Sequence, residues 1–122
     1  MTVLAKVTGR FAVLLATVLL GACTETSHVK VEKYNTLQEA TTALNLENEK
    51  IDLYIAELGQ AKTDAEKKHL ACDKIPKQYD YVLALVDANQ HLMTGDDQKV
   101  QAQFKQMALE QKARFTNSLW CK

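Results

Sequence analysis

Proline occurs once in the 122 residues and glycine four times, at Pro76 and at Gly9, Gly21, Gly59 and Gly95. Runs of β-branched residues are few after residue 35. The chain thus lacks both the turn chemistry and the strand composition of a β-fold, and it reads as all-α. It also lacks an excess of one charge, since 15 Lys and Arg stand against 15 Asp and Glu. No basic field exists to attract nucleic acid. Nor is any apolar run long enough to cross a bilayer as a helix, which takes about 20 residues. The longest, residues 11–20, has ten.

Catalytic and metal signatures are missing too. No nucleophile stands beside a base, and no glycine-rich phosphate loop occurs. Cys72 and Cys121 have no C-x-x-C partner, and His28, His69 and His91 fall at no ligand spacing. Asp80 and Asp87, one heptad apart, and the group Glu47, Glu49 and Asp52 come nearest to paired carboxylates. On charge-rich helices such residues form solvated faces. The expectation is a protein that is not an enzyme and holds no metal.

What is present begins at the N-terminus. Residues 1–10 carry Lys6 and Arg10 and no acid, and residues 11–20 (FAVLLATVLL) have Thr17 as their only polar member. This is the basic segment followed by the apolar segment of a signal peptide. Directly after it, Leu20-Gly21-Ala22-Cys23 is similar to the lipobox of bacterial lipoproteins. That resemblance implies acylation of the Cys23 thiol, removal of residues 1–22, and Cys23 as the new first residue. One acyl chain binds a membrane only marginally, at about 0.8 kcal/mol per buried CH₂, whereas two or three make the attachment lasting. The covalent lipid on Cys23 is then the only added group expected, with no other cofactor. Thr24 stands where an Asp tends to hold such lipoproteins in the inner membrane. The resemblance therefore implies the outer membrane, with the domain facing the periplasm.

Removing Lys6 and Arg10 from a chain of zero net charge leaves a formal charge of −2. With Cys23 committed to lipid, Cys72 and Cys121 form an even pair in an oxidising compartment, and a disulfide between them is expected. Closing a loop of about 50 residues contributes roughly 4 kcal/mol in the chain-entropy model.

Residues 23–35 are polar, with a faint alternation at Val29, Val31 and Tyr34, and read as a lipidated tether, with a short strand as the lesser alternative. The domain proper is expected over 36–122. Thr36-Leu37-Gln38-Glu39 fits a capping box, and Leu37, Leu44, Ile51 and Leu58 then recur every seven residues along one helix ending near Gly59. Thr63-Asp64-Ala65-Glu66 is a second capping box, opening a short helix over 64–72. Ile75-Pro76 ends that helix and starts a third, carrying Tyr79, Val82, Leu83 and Val86. Gly95-Asp96-Asp97 closes the third and opens a fourth, with Val100, Phe104, Met107, Ala108, Phe115 and Leu119 leading to Trp120 and Cys121. The expected architecture is a small four-helix bundle with one disulfide, joining the ends of helices two and four.

Each helix carries hydrophobes beyond its main stripe. Leu46, Leu53 and Tyr54 lie on helix one, and Leu85, Leu92 and Met93 on helix three. Such residues complete the core, stand singly exposed, or line a groove that accepts a partner's amphipathic helix. A groove framed by helices one and three is the candidate site.

Together, the lipobox at residues 20–23, the small helical domain, the segment Cys72-Asp73-Lys74-Ile75-Pro76 and a second cysteine at Cys121 resemble the pilotin lipoproteins of type II secretion systems, of the PulS/OutS type. The segment is similar to that family's cysteine and Ile-Pro stretch, and Cys121 to the second member of its helix-stapling disulfide. The resemblance implies a chaperone that binds the C-terminal segment of secretin subunits, disordered alone and helical in the groove. The lipid and the lipoprotein sorting machinery would carry the pair to the outer membrane, where the secretin assembles. Two other readings remain open from the residues. One is an exclusion or inhibitor lipoprotein of the envelope, acting on an incoming conjugation machine; the other is an enzyme or enzyme inhibitor of the cell wall.

Overall fold

Thr36 and Thr63 open the first two helices in the same way. The Thr36 hydroxyl accepts the Glu39 backbone N–H at 3.2 Å, and the Glu39 carboxylate accepts the Thr36 N–H at 3.3 Å. Thr63 and Glu66 repeat the exchange. Both capping boxes are formed and satisfy donors that a first helical turn leaves open. The computed structural model describes residues 30–122; Cys23, the lipobox and the segment 1–22 lie outside the described residues.

Helix α1 spans Leu37–Gln60, α2 Asp64–His69, α3 Ile75–Ala88 and α4 Asp96–Thr116. Among the described residues there is no strand, and the fold is all-α as the composition predicts. No helix among them is long and apolar enough to cross a membrane. Helix α1 runs one residue beyond Gly59 and stops at an extended Ala61, so Gly59 is helical and not a left-handed cap.

Helices α2 and α3 are not separate. Leu70–Lys74 form a π turn in which the Ile75 N–H reaches the Leu70 carbonyl five residues back, and the backbone stays right-handed helical through both junctions. Residues 64–88 are one continuous rod, about 37 Å long. Among the described residues the chain therefore builds three long helices where four were expected. Pro76 explains the π turn. In a regular α-helix its ring would collide with the Cys72 carbonyl, and it has no N–H to donate. A wider turn accommodates the ring without ending the helix.

Helix α3 ends at Ala88, earlier than expected, and Gln90–Leu92 form a short 3₁₀ turn. Leu92 and Met93 thus belong to the connection and not to helix three. Gly95 is not the C-terminal cap of α3 but stands directly before α4, with φ at +58°, a backbone that L side chains rarely adopt. Helix α4 stops at Thr116, and Leu119–Cys121 form a separate 3₁₀ turn.

The core gathers about α3. Ile75 and Val82, one heptad apart, are fully buried, and Tyr79 lies buried between them in sequence. Ile51 of α1 and Ala108 of α4 pack on this stripe, joined by Leu44, Tyr54, Leu58, Phe104 and Phe115. Gln78 donates to the Glu47 backbone carbonyl and carboxylate, while Lys74 pairs with Glu57 further along α1. Asp87 pairs with Lys105, and Asp80 with Lys112. Both outer helices therefore run antiparallel to α3 and parallel to each other. The heptad pair of aspartates ties α3 to α4.

Asn89 is the buried polar side chain among the described residues. Its Oδ1 accepts the Tyr34 N–H at 2.8 Å, and its Nδ2 donates to the Leu85 and Glu32 carbonyls at 2.9 and 3.0 Å. The last residues of the expected tether are thus fastened to the C-terminal end of α3. At the opposite end of the domain Cys72 and Cys121 form the expected disulfide, with Cα atoms 5.5 Å apart.

The disulfide predicts that a Cys72→Ser/Cys121→Ser variant loses about 4 kcal/mol and melts on the order of 20 °C lower. A thermal melt followed by circular dichroism measures this, and a change of only a few degrees contradicts it.

The capping and bridging carboxylates predict an acid limit to stability. Backbone N–H groups of Thr63 and Lys62 hold the Glu66 carboxyl below its ordinary value of 4.5. At Glu47, burial raises the pKa, but hydrogen bonds from Lys50 and Gln78 and the Lys50 charge outweigh it and leave the carboxyl below 4.5. Carboxyls with depressed folded pKa values stabilise fully above their unfolded value and lose that contribution as pH falls through the folded one. The melting temperature should therefore stay level from neutral pH down to the ordinary carboxyl value and fall beneath it. A Glu47→Gln/Glu66→Gln variant should show a smaller acid fall; an equal fall counts against this assignment.

Candidate groove between α1 and α4

Leu37, Thr41, Leu44, Asn48, Ile51 and Asp52 recur at three- and four-residue spacing and share one side of α1. On α4 the corresponding series is Asp97, Val100, Gln101, Phe104, Met107, Ala108 and Gln111. Helix α3 packs closely against both outer helices, which do not pack closely on each other. The two series therefore face a groove whose floor is Val86 and Tyr79 of α3.

Two pockets in line make up this groove. The first, of about 240 Å³, lies between Leu37, Thr41 and Leu44 on one wall and Asp97, Val100, Gln101 and Phe104 on the other, with Met93 at its end. The second, of about 170 Å³, lies between Asn48, Ile51 and Asp52 and the wall of Phe104, Met107, Ala108 and Gln111. Phe104 lines both. From Leu37 to Asp52 the groove follows about 22 Å of helix. Val100 and Met107 are 64% and 54% exposed, although they belong to the apolar series of α4. Ala108 is the buried residue of that helix.

The groove has apolar walls with polar groups at its edges. Its polar groups are the amides of Asn48, Gln101 and Gln111, the Thr41 hydroxyl, and the carboxylates of Asp52 and Asp97. Burial, and secondarily the charge of Asp52, push the Tyr79 phenol above its ordinary value and keep it neutral. Neither pocket brings a histidine, cysteine, lysine or arginine to these groups. A different hollow, between the end of α1 and α2, is lined by Glu57, Glu66, His69 and Lys74. There Lys74 is already paired with Glu57 and lies 4.5 Å from the centre of the Tyr54 ring. Among the described residues no group of three or more His, Cys, Asp or Glu converges as metal ligands do.

The six residues singled out in the sequence do not form one site, although Leu85 and Met93 line a small hollow together beside Asn89. Of them, Met93 lines the groove. Leu46 and Leu53 are 56% and 63% exposed on α1 and line neither pocket. Leu85 is 3% exposed, and Tyr54 packs half-buried against the core with Lys74 over its ring. Leu92 is half-buried in the 3₁₀ turn. The frame also differs, because the groove is walled by α1 and α4 and α3 is its floor. The α4 wall was visible in the sequence as the series Val100, Phe104, Met107, but that series reads equally well as core.

Comparison with family models, with curated proteins and with solved structures finds no match to this chain.

These placements predict opposite responses to truncation. Leu85→Ala should cost about 2–5 kcal/mol. Leu46→Ser and Leu53→Ser should each stay within about 0.5 kcal/mol of the parent chain. Urea unfolding separates the two, and a large loss at Leu46 or Leu53 contradicts their position.

Proposed function

We propose that this chain is an outer-membrane lipoprotein of pilotin type. In this reading residues 1–22 are a cleaved signal peptide and lipid on Cys23 is the anchor. The domain takes up the C-terminal segment of a type II secretion secretin, protects it, and carries it to the outer membrane for assembly. Lipoprotein sorting machinery delivers the pair. The function is binding and transport, without catalysis.

The observation that carries this reading is the open apolar groove between α1 and α4. A secretin segment folding as a helix along it would complete a four-helix bundle, three helices coming from this chain and one from the partner. Such coupled folding costs about 2–5 kcal/mol or more in ordering. At about 25 cal/mol per Å², roughly 200 Å² of buried apolar surface offsets 5 kcal/mol. Exposed Val100 and Met107 supply part of that surface. The disulfide fits a domain that works in an oxidising compartment.

Co-expression with a candidate secretin tests the reading. Cys23→Ser should keep secretin binding but leave the multimers in the inner membrane. Val100→Glu/Met107→Glu should weaken binding of a secretin C-terminal peptide at least about tenfold while the fold is retained. No detectable affinity of the parent chain at tens of micromolar, or multimers correctly placed by the Cys23→Ser chain, sinks the proposal.

A further inference from the structure

The groove has acidic edges and nothing cationic along it. Asp97 lies on the α4 wall of its first pocket and Asp52 on the α1 wall of its second. Neither takes part in an ion pair among the described residues, whereas Asp80, Asp87 and Glu47 are each matched by a lysine. Asp97 also serves the first turn of α4, where the macrodipole favours an acid, but Asp96 already fills that role. Asp52 has no such role. It sits in the middle of α1, where aspartate is a poor helix former, and its charge bears on Tyr79 at the groove floor.

We propose that the groove's occupant is an amphipathic helix with two basic residues flanking its apolar stripe, one facing Asp97 and the other Asp52. The inference rests on the reading of the groove as a docking site for a partner's helix, and adds the charge pattern that partner must carry. Asp97 shares its pocket with Leu37, Thr41 and Leu44, and Asp52 lies opposite Met107 and Gln111, so the two carboxylates are separated by roughly twelve residues of helix, or about 18 Å. On the partner, about twelve residues cover the same length and turn the helix about 120° past three full turns. That offset sets two basic residues on opposite flanks of an apolar stripe about 100° wide. Exposed ion pairs are individually weak. Their effect is on rotational register and on the choice of partner more than on affinity.

The test uses the full chain held in phosphatidylcholine nanodiscs, with empty nanodiscs as the blank. Two fluorescein-labelled model helices of about 18 residues share one leucine stripe. One carries arginines twelve positions apart on opposite flanks, and the other carries glutamates there. Polarisation should show the arginine helix binding at least about tenfold tighter, with the preference shrinking at high salt. Asp52→Asn/Asp97→Asn should weaken the arginine helix about threefold to thirtyfold. Asp96→Asn, which removes one such charge outside both pockets, should leave it unchanged.

Equal affinity for the two helices, or an equal loss with Asp96→Asn, overturns the proposal. So does a groove closed to both helices by a second copy of the chain or by residues 11–20. Secretin peptides form a separate arm. Charge-selective binding of the model helix without secretin binding removes the pilotin reading and keeps this one. Secretin binding indifferent to salt and to Asp52→Asn/Asp97→Asn does the reverse.

Discussion

Burial of Ile75 and Val82 on α3, between Ile51 of α1 and Ala108 of α4, is the packing from which the rest of the structure follows. A helix covered on two sides uses one face of each neighbour. Helices α1 and α4 lie parallel to each other over α3, so apolar residues on their facing sides border open space. The three long helices of the described residues leave exposed what a fourth would cover, and the groove follows from that. Its walls keep apolar area such as Val100 and Met107 in water because no element of the described chain reaches them.

The continuity of α2 and α3 holds this arrangement at both ends. The π turn at Leu70–Lys74 passes Pro76 without a break, and the same turn bears Cys72, whose bond to Cys121 fixes the end of the chain after α4. At the other end of the rod Asn89 clasps Glu32 and Tyr34, in a small hollow it shares with Met93, which also lines the near end of the groove. The incoming chain therefore reaches the domain beside the groove's near end.

The groove also orders the functional readings. Amides, a hydroxyl and two carboxylates around apolar walls suit the edges and face of an amphipathic segment. Paired charges elsewhere are already in use, Asp80 and Asp87 between helices and Glu57 with Lys74. The unpaired acids of the groove are what distinguish it from a merely apolar hollow.

Much of the fold was legible because the signals are local. A capping box needs residues three positions apart, and both threonine–glutamate pairs mark the helix starts where they occur. Pairing Cys72 with Cys121 required only a count of thiols and a compartment. The candidate site was much less legible. Leu46 and Leu53 repeat every seven residues as faithfully as Leu44 and Ile51, and periodicity does not say which of two adjacent stripes turns inward. That choice depends on where α3 and α4 lie. Pro76 shows the same limit. Its missing N–H and its ring suit a first turn as well as a π turn, and the outcome depends on burying Ile75 and Pro76 while Cys72 meets Cys121. Composition and short-range hydrogen bonding were enough to set helical class and the helix starts at Thr36 and Thr63, and a count of thiols was enough for the disulfide. The number of long helices, the place of the groove and the acids along it came from packing between residues tens of positions apart, whose mutual distance no local pattern encodes.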